Sequence, residues 1–88
     1  MKVEFKKAFE KDLRKLRNKS LLRKIRSTIE MVEAADVLEN ITNVKKLQGV
    51  DNYFRLRIGD YRIGLLLQGE TLCFVRVLHR KEFYRYFP

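Results

Sequence analysis

Eighty-eight residues, 45% of them apolar and including six Phe and four Tyr, suffice for one domain with a small core. They exclude a large enzyme scaffold built around a deep cofactor fold. Twenty Lys and Arg against eleven Asp and Glu leave a net charge of +9, which favours an anionic partner over a neutral metabolite.

The opening segment, MKVEFKKAFEKD, is charged from its second residue and holds no apolar stretch of signal-peptide length. The longest aliphatic run anywhere is Leu65, Leu66 and Leu67, so the expectation is a cytoplasmic protein that crosses no membrane. Val3 and Phe5 alternate with Lys2 and Glu4 over a span that predicts no more than an edge strand. Phe5 or Ala8, Phe9, Leu13 and Leu16 then recur at helical spacing, with lysines and arginines around the rest of the cylinder. Ser20 is the expected N-cap of a second helix running to about Leu38. Its apolar stripe is Leu22, Ile25, Ile29 and Val32, with Leu21, Thr28 and Ala35 beside it. Joined by the short NKS link, the two helices predict a hairpin that is stable only when its stripe is buried. The following ENITNVKKLQG reads as loop with a short turn, ending at Gly49.

From Tyr53 the period changes to two. Phe54, Leu56 and Ile58 fall on one face and Tyr53, Arg55 and Arg57 on the other; Tyr61, Ile63, Leu65 and Leu67 oppose Arg62, Gly64 and Leu66. Gly59-Asp60 between them predicts a two-residue hairpin loop with glycine first. The register then pairs Ile58 with Tyr61, Arg57 with Arg62, Leu56 with Ile63 and Arg55 with Gly64. A second turn at Gly69-Glu70 pairs Leu67 with Leu72, Leu65 with Phe74, Ile63 with Arg76 and Arg62 with Val77. On that register Cys73, Val75, Val77 and His79 share the arginine face, while Leu72, Phe74 and Leu78 face the helices. Arg76 lands on the apolar side, where it must reach the sheet edge, pair with an acid, or mark a register wrong by one residue. The predicted architecture is α+β: an N-terminal helical hairpin on a small antiparallel sheet, followed by an aromatic tail, HRKEFYRYFP.

Charge is distributed in three blocks. Met1 to Arg26 carries eleven basic and three acidic residues, Ser27 to Val44 none and four, and Lys45 to Pro88 nine and four. Basic residues in the second half are mostly arginine, whose planar fork pairs with phosphate in a way a lysine point charge does not. Arg55, Arg57 and Arg62 on one sheet face, with Arg80 and His79 at the end of the next strand, predict a cationic cluster. Three readings compete for it: a solvated face whose arginine stems cover apolar neighbours, a phosphate-binding platform, and a dock for an acidic protein. Tyr53, Tyr84 and Tyr86 add rings able to stack on unpaired bases, while Tyr61, Phe83 and Phe87 read as core or tail packing. A single histidine and no clustered carboxylate pair argue against a metal-dependent nuclease. The lone Cys73, inside the apolar run LCFV, reads as a small buried hydrophobe.

The segment KLQGVDNYFRLRIGDYRIGLLL followed by FVRVLHRKEFYRYF resembles the RelE/ParE superfamily of toxin–antitoxin toxins, and most closely its RelE-like branch. The resemblance spans essentially the whole chain. It rests on the KLxG step at Lys46 to Gly49, the Tyr61-Arg62 pair and the HRxxxY ending at His79, Arg80 and Tyr84. It implies the RelE-like, microbial-RNase-like fold, with a short N-terminal strand at Val3. It also implies a toxin that enters the A site of the 70S ribosome, cuts messenger RNA with the RNA's own 2'-hydroxyl as nucleophile, and so inhibits translation. By motif, the family's basic pair falls on Arg55 and Arg57, its tyrosine-adjacent arginine on Arg62, its late catalytic arginine on Arg80 and its C-terminal tyrosine on Tyr84, with Tyr86 the alternative. No cofactor or metal is implied; a small acidic antitoxin of the RelB kind is.

This chain departs from the pattern in one respect: the first pair is arginine where well-studied members carry lysine. A guanidinium does not deprotonate at working pH, so neither Arg55 nor Arg57 can be the general base. His79 and Tyr84 remain for proton transfer. Two rivals stand beside the nuclease reading: a ParE-like poison of DNA gyrase, which has no use for the arginine and tyrosine set, and a non-catalytic ribosome or RNA binder, which composition cannot separate from the enzyme.

Overall fold

The computed structural model describes all 88 residues. Strand β1 (Lys2–Phe5) leads into helices α1 (Lys7–Lys15) and α2 (Lys19–Ala34). A single 3-10 turn at Leu38–Asn40 precedes strands β2 (Val44–Lys46), β3 (Tyr53–Ile58), β4 (Tyr61–Gln68) and β5 (Thr71–His79), and helix α3 (Arg80–Tyr86) closes the chain. The strands form one sheet in the order β1-β5-β4-β3-β2. β2 through β5 pair antiparallel, and β1 lies parallel to β5 at one edge.

The helical hairpin covers one face of the sheet. Phe9, Leu21, Ile25 and Val32 from the helices close on Leu56, Ile58, Ile63, Leu65, Leu72, Phe74 and Val77 from three strands. Phe9 is fully buried and meets Phe74 edge-on with ring centroids 5.4 Å apart. Burying a side chain of that size stabilises the fold by about 2 to 3 kcal/mol. The stripe on α2 is shifted from the expected one: Leu21, Ile25 and Val32 are buried, while Leu22 and Ile29 are only half-buried. Its N-cap is Asn18, whose Oδ1 accepts from the Leu21 amide at 3.0 Å, instead of Ser20. The helix stops at Ala34, short of Leu38.

Two further expectations are corrected. Val44–Lys46, read as loop, is a strand, too short for its alternation to register; it pairs Val44 with Leu56, Lys45 with Arg55 and Lys46 with Phe54. The aromatic tail is a helix, and it packs on the sheet face opposite the hairpin. There Phe83 and Phe87 bury against Leu47, with Tyr53, Val50, Val75 and Leu78 around them.

The β3–β4 hairpin has the expected register from Ile58–Tyr61 to Arg55–Gly64. Gly59 supplies the positive φ, 55°, that the first position of this two-residue loop demands. The β4–β5 hairpin starts as expected, with Leu67 opposite Leu72 and Leu65 opposite Phe74, and then slips by one. A β-bulge leaves Val75 unpaired, so Arg76 lies opposite Gly64, Val77 opposite Ile63, Leu78 opposite Arg62 and His79 opposite Tyr61. Val77 thus enters the core under the hairpin, Leu78 leaves it for the other face, and His79 moves to the side of Tyr61. Arg76 pairs with an acid after all: its Nε and Nη2 donate to the two carboxylate oxygens of buried Asp12 on α1, at 2.8 and 3.0 Å.

Candidate functional site

The second face of the sheet is built in cross-strand rows. Arg57 and Arg62 lie directly opposite each other on β3 and β4, and Lys45, Arg55 and Gly64 form the adjoining row from β2 to β4. Like charges placed side by side repel, so this row structure is unfavourable for the free protein and becomes favourable when an anion sits over it. Where Gly64 leaves a gap, the Phe87 ring fills it: a Cβ there would lie 2.6 Å from Phe87 Cδ1 and Cε1. That contact anchors α3 across the arginine face.

Arg62 is the centre of the cluster. Its Nη1 donates to the backbone carbonyls of Gly59 at 2.8 Å and Tyr61 at 3.0 Å, which tie the guanidinium to the hairpin turn. Partial burial, then the nearby charges of Arg57 and Arg55, and more weakly that of Arg80, hold its pKa below the usual arginine range. Tyr84 acts in the opposite sense, placing its side chain in the same electrostatic neighbourhood. Arg62 stays protonated at working pH, so the lowered value signals crowding of cations and no capacity to accept a proton.

Arg80 enters the cluster from the first residue of α3. Its amide donates to the Asp60 carbonyl at 2.7 Å, which fixes the helix start to the β3–β4 turn. Its guanidinium is 3.9 Å from the Asp60 carboxylate, and both side chains are largely exposed, so this pair restrains the arginine weakly.

Of the residues singled out from the sequence, Arg55, Arg57, Arg62, Arg80 and Tyr84 come together here. Tyr86 does not join them: its ring lies 6.0 Å from the Arg76 guanidinium carbon and 5.7 Å from that of Arg85. His79 also turns away. It caps α3, accepting from the Lys81 amide at Nδ1 (3.1 Å), and its ring meets Tyr61 edge-on at 5.4 Å. His79 and Tyr86 line a separate cleft that also holds Asp12 and Arg76. Tyr53 is half-buried, edge-on to Phe87 at 5.6 Å, and packs rather than presenting an open stacking surface. Lys45 was missed in the sequence because β2 offers only three residues of alternation; its neighbour across the ladder, Arg55, makes it part of the cationic face.

No three His, Cys, Asp or Glu side chains gather in a way that could hold a metal ion. No helix is long and apolar enough to cross a membrane.

A family model described as the ParE toxin of the type II toxin–antitoxin system, parDE, matches residues 3–84. A small sheet with a helical hairpin on one face and a cationic surface on the other is therefore the body of a type II toxin. Among curated proteins, the toxin RelE3 of Methanocaldococcus jannaschii is 43% identical over 89 residues, covering the full length of both chains. The crystal structure of the RelB–RelE antitoxin–toxin complex from Methanococcus jannaschii contains a chain that superposes with a TM-score of 0.83 at 40% identity. That match covers 97% of this chain and 99% of the other. The archaeal RelE–RelB complex from Pyrococcus horikoshii, at 23% identity and a TM-score of 0.73 over 93% and 97% of the two chains, shares the fold. The present chain belongs to the RelE/ParE toxin superfamily, on its RelE branch.

Proposed function

We propose that this protein is a ribosome-dependent endoribonuclease that cleaves messenger RNA in the A site without a metal ion and thereby stops translation. A small acidic RelB-like antitoxin would hold it inactive in the cytoplasm. The observation that carries the reading is the convergence of Arg55, Arg57, Arg62 and Arg80 with Tyr84 on one face.

Attack of a 2'-oxygen on the adjacent phosphate gathers negative charge as phosphorus becomes five-coordinate. Fixed guanidiniums stabilise that state more than the ground state, and their mutual repulsion is relieved most where the anionic charge is greatest. Arg62, tied to two carbonyls, offers a pre-set donor to the non-bridging oxygens. Arg80, on a rigid helix start with an exposed side chain, suits the leaving 5'-oxygen side of the reaction. Tyr84 is the one hydroxyl of the cluster and takes the part of proton carrier or stacking ring. His79 stands apart from the cluster in this structure, and as proton carrier it would require α3 to give up the cap that its Nδ1 provides.

The antitoxin reading is supported by the +9 charge and by the relatives, whose solved structures are RelB–RelE complexes. A gyrase poison is the rival, favoured by the ParE name of the matching family model. One comparison separates them. Purified protein should cut messenger at the A-site codon of programmed ribosomes and leave the same RNA largely intact in buffer, with or without EDTA. Inhibition of gyrase supercoiling with no ribosomal cleavage would establish the rival, and EDTA-sensitive degradation of free RNA would point to a different nuclease.

A further inference from the structure

We propose that the hollow between the β2–β3 loop and the C-terminal end of α3 is a pocket for one unpaired nucleobase of the RNA, and that Gln48 reads the edge of that base. The proposal rests on the nuclease reading above and names a subsite next to the phosphate cluster. The hollow has a volume of about 570 Å³ and opens directly beside Arg55 and Tyr84. Its apolar floor is made by buried Leu47 and Phe87, with half-buried Val50 beside them. A nucleobase is apolar on its two faces and polar only around its rim, so a slot with an apolar floor and a free tyrosine ring suits it. Tyr84, 63% exposed, is that ring.

Charge argues for RNA as the occupant over an apolar side chain of a protein partner. Lys45 and Arg55 face each other across β2 and β3 and both line the hollow, where they can hold the phosphate next to an inserted base. Gln48 is the only lining side chain that carries both an amide donor and a carbonyl acceptor, the pair needed to distinguish one base edge from another. It is exposed, so its amide is open to a ligand.

Two assays test this. In one, ribosomes carry messengers randomised at the A-site codon, and cleavage products are counted by sequence. In the other, fluorescence anisotropy compares four RNA heptamers that differ in one central base and carry 2'-methoxy groups to block cleavage. Wild type is expected to favour one base at a fixed distance from the cut. Gln48→Ala should lower the ratio between best and worst base by about tenfold, and Val50→Trp, which fills the hollow, should remove the preference among heptamers. A wild type without base preference in both assays, or Gln48→Ala with the wild-type ratio, overturns the proposal. So does Val50→Trp that loses antitoxin binding while keeping the RNA preference, since the pocket would then belong to the antitoxin. Base-dependent heptamer binding that Val50→Trp abolishes, in a protein that cleaves nothing on ribosomes, would support the pocket and sink the nuclease reading.

Discussion

The carboxylate of Asp12 on α1 is gripped by Arg76 on β5 through two hydrogen bonds, and its Oδ2 also accepts from the Val77 amide at 3.0 Å. Asp12 is 7% exposed, and the side chain of Arg76 25%. β1 pairs with β5 only as far as Phe74, so beyond the bulge the β5 edge is open to α1, and the Arg76 side chain and the Val77 amide both meet one carboxylate there. The same bond to Asp12 is the main cause that raises the Arg76 pKa, ahead of the opposing effect of burial. Taking away the acid strands a half-buried cation and an unpaired amide. Asp12→Ala should therefore lower stability by about 3 kcal/mol in urea unfolding. Paired replacement with apolar residues, Asp12→Leu with Arg76→Met, should lose clearly less. Equal losses in the single and double variants would show that the pair does not act as a unit.

Arg80 tests where the chemistry lies. Its backbone is held to Asp60 while its side chain is 59% exposed, so truncation removes a donor without opening the core. Losing one such donor costs about 3 to 4 kcal/mol of transition-state stabilisation, a drop on the order of 10² or more in single-turnover cleavage on ribosomes. Arg80→Ala should fold, bind antitoxin and show that drop. Arg80→Lys keeps the charge without the fork and should fall between. A wild-type rate in Arg80→Ala with normal ribosome binding would place the active site elsewhere.

The two C-terminal tyrosines and the histidine separate by position. Tyr84 shares the surroundings of Arg62, whereas Tyr86 lies between Arg76 and Arg85 on the far side of α3. Tyr84→Phe keeps the ring and removes the hydroxyl, so it should slow single-turnover cleavage by on the order of tenfold or more if the hydroxyl carries a proton. Tyr86→Phe should leave the rate within about twofold, because its ring contacts persist without the hydroxyl. His79→Gln should act on stability through the cap of α3, by about 1 kcal/mol in thermal unfolding. A large rate loss in His79→Gln with unchanged stability would return the imidazole to the reaction.

How far the sequence could be read follows from the physics of each segment. The β3–β4 hairpin was legible because strict alternation on both sides of Gly59-Asp60 admits one register, and that register alone puts Arg57 beside Arg62. Arg80 and Tyr84 came from a motif, and geometry places them with Arg62. The bulge was illegible in parity counting, since one extra residue reverses every later side chain; Arg76 on the apolar side was its only trace. Asn18 lost to Ser20 as expected cap because both side chains can accept from an amide three residues on, and composition does not choose between them. The fold of HRKEFYRYFP was hidden by its length: seven helical residues have little intrinsic stability, and α3 exists because Phe83 and Phe87 find a second apolar cluster on the sheet.

Gly64 and Phe87 make the last test, because their contact joins the fold to the site. A methyl group on Gly64 would lie 2.6 to 2.7 Å from three atoms of the Phe87 ring, too close for any carbon pair, so the ring must yield. Phe87 is 3% exposed, packs with its ring tilted against Phe83 at 5.1 Å between centroids, and its amide closes the last turn of α3 onto the Phe83 carbonyl at 2.9 Å. Moving it therefore shifts the helix that carries Arg80 and Tyr84. Gly64→Ala should lose about 1 to 3 kcal/mol by overpacking and should also slow ribosomal cleavage. Phe87→Ala should lose about 3 kcal/mol or more through the cavity it leaves. The double variant relieves the clash and fills part of that cavity, so its loss should fall short of the sum of the single losses by more than about 0.5 kcal/mol. Additive losses in urea unfolding would mean that Gly64 does not seat the ring. A Gly64→Ala protein that unfolds earlier yet cleaves at the wild-type rate would uncouple the position of α3 from the chemistry.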